Sequence, residues 1–136
     1  MTDTSVIDRY YAAFNARDYA AYDEIFTADA VLEAPGGASG TGPDAMRALD
    51  GALIDAYSDF RITTLVRYAS GDHVASENIA EGVHDGPFAT PVGEIPPSGN
   101  QVGGTYVGVF ELRGGRISAQ RLYYDRLALV EQMTGA

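Results

Sequence analysis

Residues 105–125 read TYVGVFELRGGRISAQRLYYD. Two runs rich in β-branched and aromatic residues flank Gly114-Gly115, a pair able to take the positive φ of a tight two-residue hairpin turn. A turn at that pair sets Arg113 against Arg116 and fixes the register of everything beyond. One face then carries Gly104, Tyr106, Gly108, Phe110 and Leu112 opposite Asp125, Tyr123, Arg121, Ala119 and Ile117. The other carries Thr105, Val107, Val109 and Glu111 opposite Tyr124, Leu122, Gln120 and Ser118. Both faces are largely apolar, which places the hairpin inside a sheet with at least one side covered. A carboxylate, Asp125, ends the apolar run on the aromatic face.

Outward from the hairpin, the N-terminal half reads as helical. Thr4 or Ser5 can cap a first helix on which Ile7, Tyr10, Tyr11 and Phe14 recur at helical spacing. Asp18 can cap a short second helix with Tyr19, Tyr22 and Phe26. A brief strand, 30–34, runs into a Gly-rich loop, 36–42, which has neither the spacing nor the Lys of a phosphate loop. Pro43 opens a third helix with Met46, Leu49, Leu53 and Tyr57 on one face. The period then changes to two, giving long strands from Phe60 to Arg67 and from His73 to His84. The segment 86–104, with Pro87, Pro91, Pro96 and Pro97, reads as a long connection. A last amphipathic piece holds Leu127, Leu129, Val130 and Met133. Three helices followed by antiparallel strands give an α+β layout, helices against one curved sheet, in a single domain spanning 1–136.

Composition narrows the chemistry. With 46% hydrophobic and 21% charged residues in 136, the chain is expected to fold around a real core. A net charge of −10 opposes nucleic acid and anionic membrane as partners, because phosphate contacts need a basic face. No apolar run approaches the ~18–20 residues that span a bilayer, and the start lacks a signal-peptide pattern, so a soluble, cytoplasmic protein is expected. The chain has no Cys and no Lys, which removes thiol nucleophiles, cysteine metal sites and lysine Schiff bases. Acid–base chemistry is left to carboxylates, tyrosines and two histidines, His73 and His84. Their spacing does not suggest a metal site, and no cofactor is expected.

Several stretches, in order, carry a resemblance: DRYYAAFNARD, IFTADAVLEAPGG, AYSDFRIT, GDHVASENIAEGVHDGPF, EIPPSGNQV and YYDRLALVEQM. Together they cover nearly the whole chain. They resemble the nuclear transport factor 2-like superfamily, specifically its SnoaL-like polyketide cyclase branch. The resemblance implies a cone-shaped α+β half-barrel, three N-terminal helices packed on a curved, mostly antiparallel sheet around an apolar pocket, commonly as a homodimer. It also implies a small hydrophobic ligand and a cofactor-independent ring closure by intramolecular aldol condensation. The residue matching the family's catalytic Asp, at the end of the last strand, is Asp125.

An aldol closure needs a base for an acidic C–H and an acid for the new alkoxide; one carboxylate in an apolar pocket can serve as both. Asp125, with Tyr106, Phe110 and Tyr123 around it, is the expected acid/base, although a strand-end Asp could instead cap the last helix or pair with Arg121 or Arg126. Tyr10 resembles the oxyanion-hole Tyr of the related steroid isomerases; it could equally be core. Their base and their protonated Asp fall at Ala34 and Gly108, which disfavours that chemistry. Phe14, Glu33, Asn78 and His84 complete the expected pocket. Glu33 stands as a second acid or base at the mouth or a solvated strand-end residue. His84 either steers a carbonyl or holds a turn. On strand 73–84, Glu77 and Glu81 share one face and Ser76, Asn78 and Ala80 the other. A pocket lined by the Glu face would suit an epoxide hydrolase or isomerase. The remaining alternative is a non-catalytic ligand-binding or dimerisation module.

Overall fold

The computed structural model describes residues 3–90 and 92–135, so Met1, Thr2, Pro91 and Ala136, including part of the expected Pro-rich connection, lie outside the described residues. Helix α1 (Ser5–Ala16) starts where the Ser5 amide donates to Asp3 Oδ1 at 2.9 Å; Thr4 occupies the cap position without a side-chain bond. It ends at Arg17 in the left-handed region, φ 61°. That conformation costs a non-glycine residue about 1 kcal/mol or more. The cost is offset by the guanidinium, which donates to the carbonyls of Phe14, Ser58 and Phe60.

A 3-10 turn (Tyr19–Ala21) leads into α2 (Tyr22–Ile25) and directly into β1 (Phe26–Ala34). Strand β1 therefore starts four residues earlier than its sequence pattern suggested. The Gly-rich stretch is also more ordered than a loop. Positive φ at Gly36 and Gly37 folds the chain back, and β2 (Ala38–Thr41) pairs antiparallel with Val31–Ala34.

Helix α3 (Pro43–Ala56) is followed by β3 (Arg61–Ser70) and β4 (His73–Val83). The expected connection contains a small hairpin, β5 (Phe88–Thr90) with β6 (Gly93–Ile95), and ends at β7 (Gln101–Arg113). β8 (Arg116–Tyr123) and α4 (Arg126–Thr134) complete the chain.

The main sheet runs β2-β1-β8-β7-β4-β3 and is open, with β2 and β3 at its edges. Among the described residues only the β1–β8 pair is parallel. The helices fill the inner face. Ile7, Tyr10 and Phe14 of α1, with Tyr22 of α2 and Met46 of α3, pack on Phe26, Phe110 and Ile117 of the sheet. Each such large side chain, fully buried, contributes about 2–3 kcal/mol. Among the described residues no helix is long and apolar enough to cross a membrane.

The 105–125 hairpin turns as its glycines dictate, with φ 60° at Gly114 and 78° at Gly115, and Arg113 pairs with Arg116. Beyond Leu112–Ile117 the expected register fails. A β-bulge leaves Ser118 unpaired, so Glu111 faces Ala119, Phe110 faces Gln120, Gly108 faces Leu122 and Val107 faces Tyr123. The Ser118 hydroxyl donates to the Glu111 carbonyl at 3.1 Å, engaging a backbone group at the irregularity. A one-residue slip exchanges the two faces. Gln120 is thereby turned inward and Tyr123 outward, the reverse of the simple reading.

The GVHDGPF and IPPSGN motifs are tied to each other. The Asp85 and Gly86 amides both donate to the Ala56 carbonyl at 3.1 Å, closing the C-terminal end of α3, and the Asp85 carboxylate accepts from Ser58. The His84 amide donates to the Asn100 carbonyl at 2.9 Å and the Gly99 amide to the His84 carbonyl at 2.8 Å. These bonds hold the β4 end, the α3 end and the entry to β7 as one piece.

Candidate active site

Helix α3 presents an apolar stripe to the sheet, and one member of that stripe is a carboxylate. Asp50 stands one turn after Met46, between Leu49 and Leu53, and only 2% of it is exposed. Its Oδ2 accepts from the Tyr10 hydroxyl at 2.8 Å and from the Tyr22 hydroxyl at 2.6 Å. Gln120 Nε2 in turn donates to the Tyr10 oxygen at 3.2 Å. The donors therefore run Gln120 to Tyr10 to Asp50, with Tyr22 arriving separately.

Among the described residues no Arg or His pairs with Asp50, and Oδ1 has no hydrogen-bond partner. Burial without a counter-charge disfavours the ionised form, and the two tyrosine hydroxyls only partly oppose it. The Asp50 carboxyl is pushed up to about 6. Burial, and then the charge of Asp50, push Tyr10 and Tyr22 upward, so both remain hydroxyl donors at neutral pH.

Above Asp50 opens a cavity of about 200 Å³. Its walls are apolar and aromatic: Leu53 and Tyr57 from α3 and its end, Ile62, Ala80, Tyr106, Leu122 and Tyr124 from the sheet side, and Ala128 and Leu129 from α4. Tyr10 and Gln120 join Asp50 as its polar lining, and Asp125 and Gln132 also border it. Helix α4 is clipped across the sheet by a reciprocal pair. The Gly103 amide donates to Gln132 Oε1 at 2.7 Å, and Gln132 Nε2 donates to the Gly103 carbonyl at 3.0 Å.

The residues expected from sequence are distributed unevenly. Tyr10, Tyr106 and Asp125 line the cavity. Asp125 is exposed, however, and its Oδ1 accepts from the Ala128 amide at 2.9 Å, so it caps α4 at the rim. The apolar enclosure expected of Asp125 surrounds Asp50.

The others lie elsewhere. Phe14 is core, edge-on to Phe60, and Phe110 is core against Tyr10 and Tyr11. Tyr123 is 56% exposed because of the bulge, and Glu33 is exposed on the outward side of β1. Asn78 is on the inner face, but its amide donates to the Tyr11 hydroxyl at 2.9 Å and its Oδ1 accepts from Ser76. His84 is fully buried; Nδ1 accepts from the Ser98 amide at 3.3 Å, which makes it part of the turn rather than of the cavity wall.

The alternation along β4 puts Val74, Ser76, Asn78 and Ala80 inward. Glu77 and Glu81 therefore sit on the outer side. Arg121 also faces out, bonded to Glu111 at 2.6 Å. The position equivalent to the isomerase acid, Gly108, is closed: a Cβ there would stand 3.0 Å from the Phe110 ring and 3.3 Å from the Tyr11 hydroxyl.

This architecture, an α+β half-barrel around an apolar cavity, is that of the nuclear transport factor 2-like fold. The SnoaL-like domain model matches residues 7–120, and the chain belongs to that family. Among solved structures, a candidate SnoaL-like polyketide cyclase from Jannaschia superposes with a TM-score of 0.86 at 21% identity, covering 97% of this chain and 91% of the other. IdmH, a candidate polyketide cyclase from Streptomyces antibioticus, gives 0.80 at 24% identity over 98% of both chains. An LEH-like epoxide hydrolase from M. tuberculosis gives 0.71 at 20% identity, covering 96% of this chain and 88% of the other. No curated protein sequence matches the chain.

Proposed function

We propose that the protein is a cofactor-independent acid–base enzyme closing a ring in a hydrophobic, polyketide-like carbonyl compound by intramolecular aldol addition, with Asp50 as the acid/base. The observation that carries this reading is a carboxylate poised near neutrality at the inner end of an apolar cavity. Ionised Asp50 removes a proton from the carbon between two carbonyls. The enolate carbon attacks a second carbonyl of the same molecule, forming the C–C bond. The resulting alkoxide takes the proton back from Asp50, so no proton is gained or lost overall. Tyr10 and Tyr22 hold the carboxylate in place through both steps.

The test follows, across pH, ring closure of apolar 1,3-diketones that carry a third ketone placed so that the carbon between the first two closes a six-membered ring. Base catalysis by Asp50 makes kcat/KM rise with pH through about 6 and then level. Tyr22→Phe removes a hydrogen bond to the charged form, so the rising limb moves to higher pH. A limb unmoved in that variant would detach Asp50 from the profile. Asp125→Asn separates the two carboxylates. Asn caps a helix as well as Asp does, and an exposed charge at the rim changes the rate by about tenfold at most. A larger loss there than in Asp50→Asn would return the role to Asp125.

We propose that the homodimer the family resemblance implies would form through the outer sheet face, where Tyr68 is 60% exposed, Tyr123 56% and Val66 37%. Sedimentation of a monomer at all micromolar concentrations would overturn that placement.

A further inference from the structure

Among the described residues, one fully buried polar atom of the cavity lining has no partner. Gln120 is 1% exposed, its Nε2 is engaged by Tyr10, and its Oε1 is buried with no hydrogen-bond partner among the described residues. The orientation of this amide is set by its neighbours. The Tyr10 proton is directed at Asp50, so the Tyr10 oxygen can only accept from Gln120, and the NH2 group must be the end that points to it. The carbonyl oxygen is left as a fixed acceptor. A buried unsatisfied acceptor is costly.

Asp50 Oδ1 is likewise unengaged. Two unengaged acceptors thus belong to residues lining the inner end of the cavity, and the Tyr10 and Tyr22 protons beside Asp50 are already directed at it. A ligand that satisfies this end must bring a donor. A carboxylate or phosphate ligand would meet acceptors and a net charge of −10.

We propose that Gln120 is a specificity residue whose Oε1 accepts a hydrogen bond from a hydroxyl group of an otherwise apolar ring ligand, a phenol or an enol. This rests on the reading of the cavity as a ligand site and names the polar feature its substrate carries.

The test compares binding of 2-naphthol and 2-methylnaphthalene to the full chain at pH 7.5, probes of similar size that differ in the hydroxyl. Binding is read by displacement of a fluorescent apolar dye. Burying a hydroxyl without an acceptor is unfavourable, so the readout is how the naphthol-to-methylnaphthalene affinity ratio changes between proteins. Gln120→Met, which keeps the length and removes the acceptor, is expected to lower that ratio by on the order of 10- to 100-fold, with 2-methylnaphthalene bound as before or more tightly. Gln120→Asn, which keeps an amide but withdraws it by one methylene, lowers the ratio in the same direction and serves if the Met variant does not fold. An unchanged ratio in the folded variants overturns the assignment of Gln120 alone, with the acid–base reading intact. Failure of both probes to bind the wild-type protein overturns the ligand site itself, and the proposed function with it.

Discussion

Asp50→Asn is expected to lower kcat/KM for ring closure by 10²- to 10⁴-fold, the range for loss of a positioned general acid/base, while making the protein more stable at neutral pH. The first half follows from chemistry: an amide in the same place cannot take the proton. Its carbonyl oxygen still accepts from Tyr10 and Tyr22, so the local geometry is retained and the loss reports the proton transfer. The second half follows from linkage. The folded-state value of about 6 lies above the reference value of 3.8, so the native protein binds this proton more tightly than the unfolded chain does. Stability contributed by the protonated carboxyl is complete below about pH 4, falls as pH rises, and is gone above about pH 6. The gap corresponds to roughly 3 kcal/mol. Asn carries no charge to desolvate and escapes this loss. Denaturation midpoints of the two proteins, measured from pH 4 to 8, should diverge across that window in favour of the variant. A variant that is both active and less stable at pH 7.5 would remove Asp50 from the mechanism and from the pH dependence together. Such an exchange of stability for activity is expected where a buried charge is retained for its chemistry.

Asp50 was legible in the sequence only as an exception, an acid inside the apolar stripe Met46, Leu49, Leu53 of α3. What makes it a site is not local. Its partners Tyr10 and Tyr22 lie 40 and 28 positions away, and nothing in their own helices marks their hydroxyls as convergent. The hairpin was legible in its turn, because Gly114-Gly115 can take the positive φ that few other pairs tolerate. Its register was not, because the choice between a straight ladder and a bulge at Ser118 leaves no mark in ISAQRLYY. Either face would be acceptably apolar. That single residue decides whether Tyr123 or Tyr124 lines the cavity, and whether Gln120 or Arg121 stands beside Tyr10. Asp125 borders the cavity and caps α4 for a related reason. The same residue ends a strand and precedes a helix, and its carboxylate has a backbone donor, Ala128, within reach whatever the pocket does. The order of helices and strands, by contrast, depends on periodicities repeated many times, and one local irregularity does not alter it.

The motif HDGP, whose His84 could steer a carbonyl or hold a turn, is by its geometry a fastener with a measurable strength. Gly86→Ala is expected to destabilise the protein by about 3 kcal/mol, the upper end for a forced steric insertion. A Cβ on Gly86 would overlap the Asp55 carbonyl oxygen and crowd its carbon at 3.0 Å and the Ala56 Cα at 3.5 Å. All three are backbone atoms at the end of α3, so no flexible side chain can move aside to make room. Relief requires pulling the loop away from the helix, and that breaks the bonds from the Asp85 and Gly86 amides to the Ala56 carbonyl. The strain is steric and not conformational, since Gly86 is absent from the positive-φ positions. Thermal unfolding should therefore begin about 10 °C lower than in the wild type, on the scale for a domain of this size. The consequence reaches the cavity, because Tyr57, which follows α3 directly, forms part of its wall and donates to Met133 Sδ of α4 at 3.7 Å. Loosening the α3 end should weaken binding of 2-methylnaphthalene along with the fold, while the pH at which turnover rises stays near 6, since Asp50 sits almost two turns back along the helix. A Gly86→Ala protein with wild-type stability would mean that the loop does not seat on α3 as described.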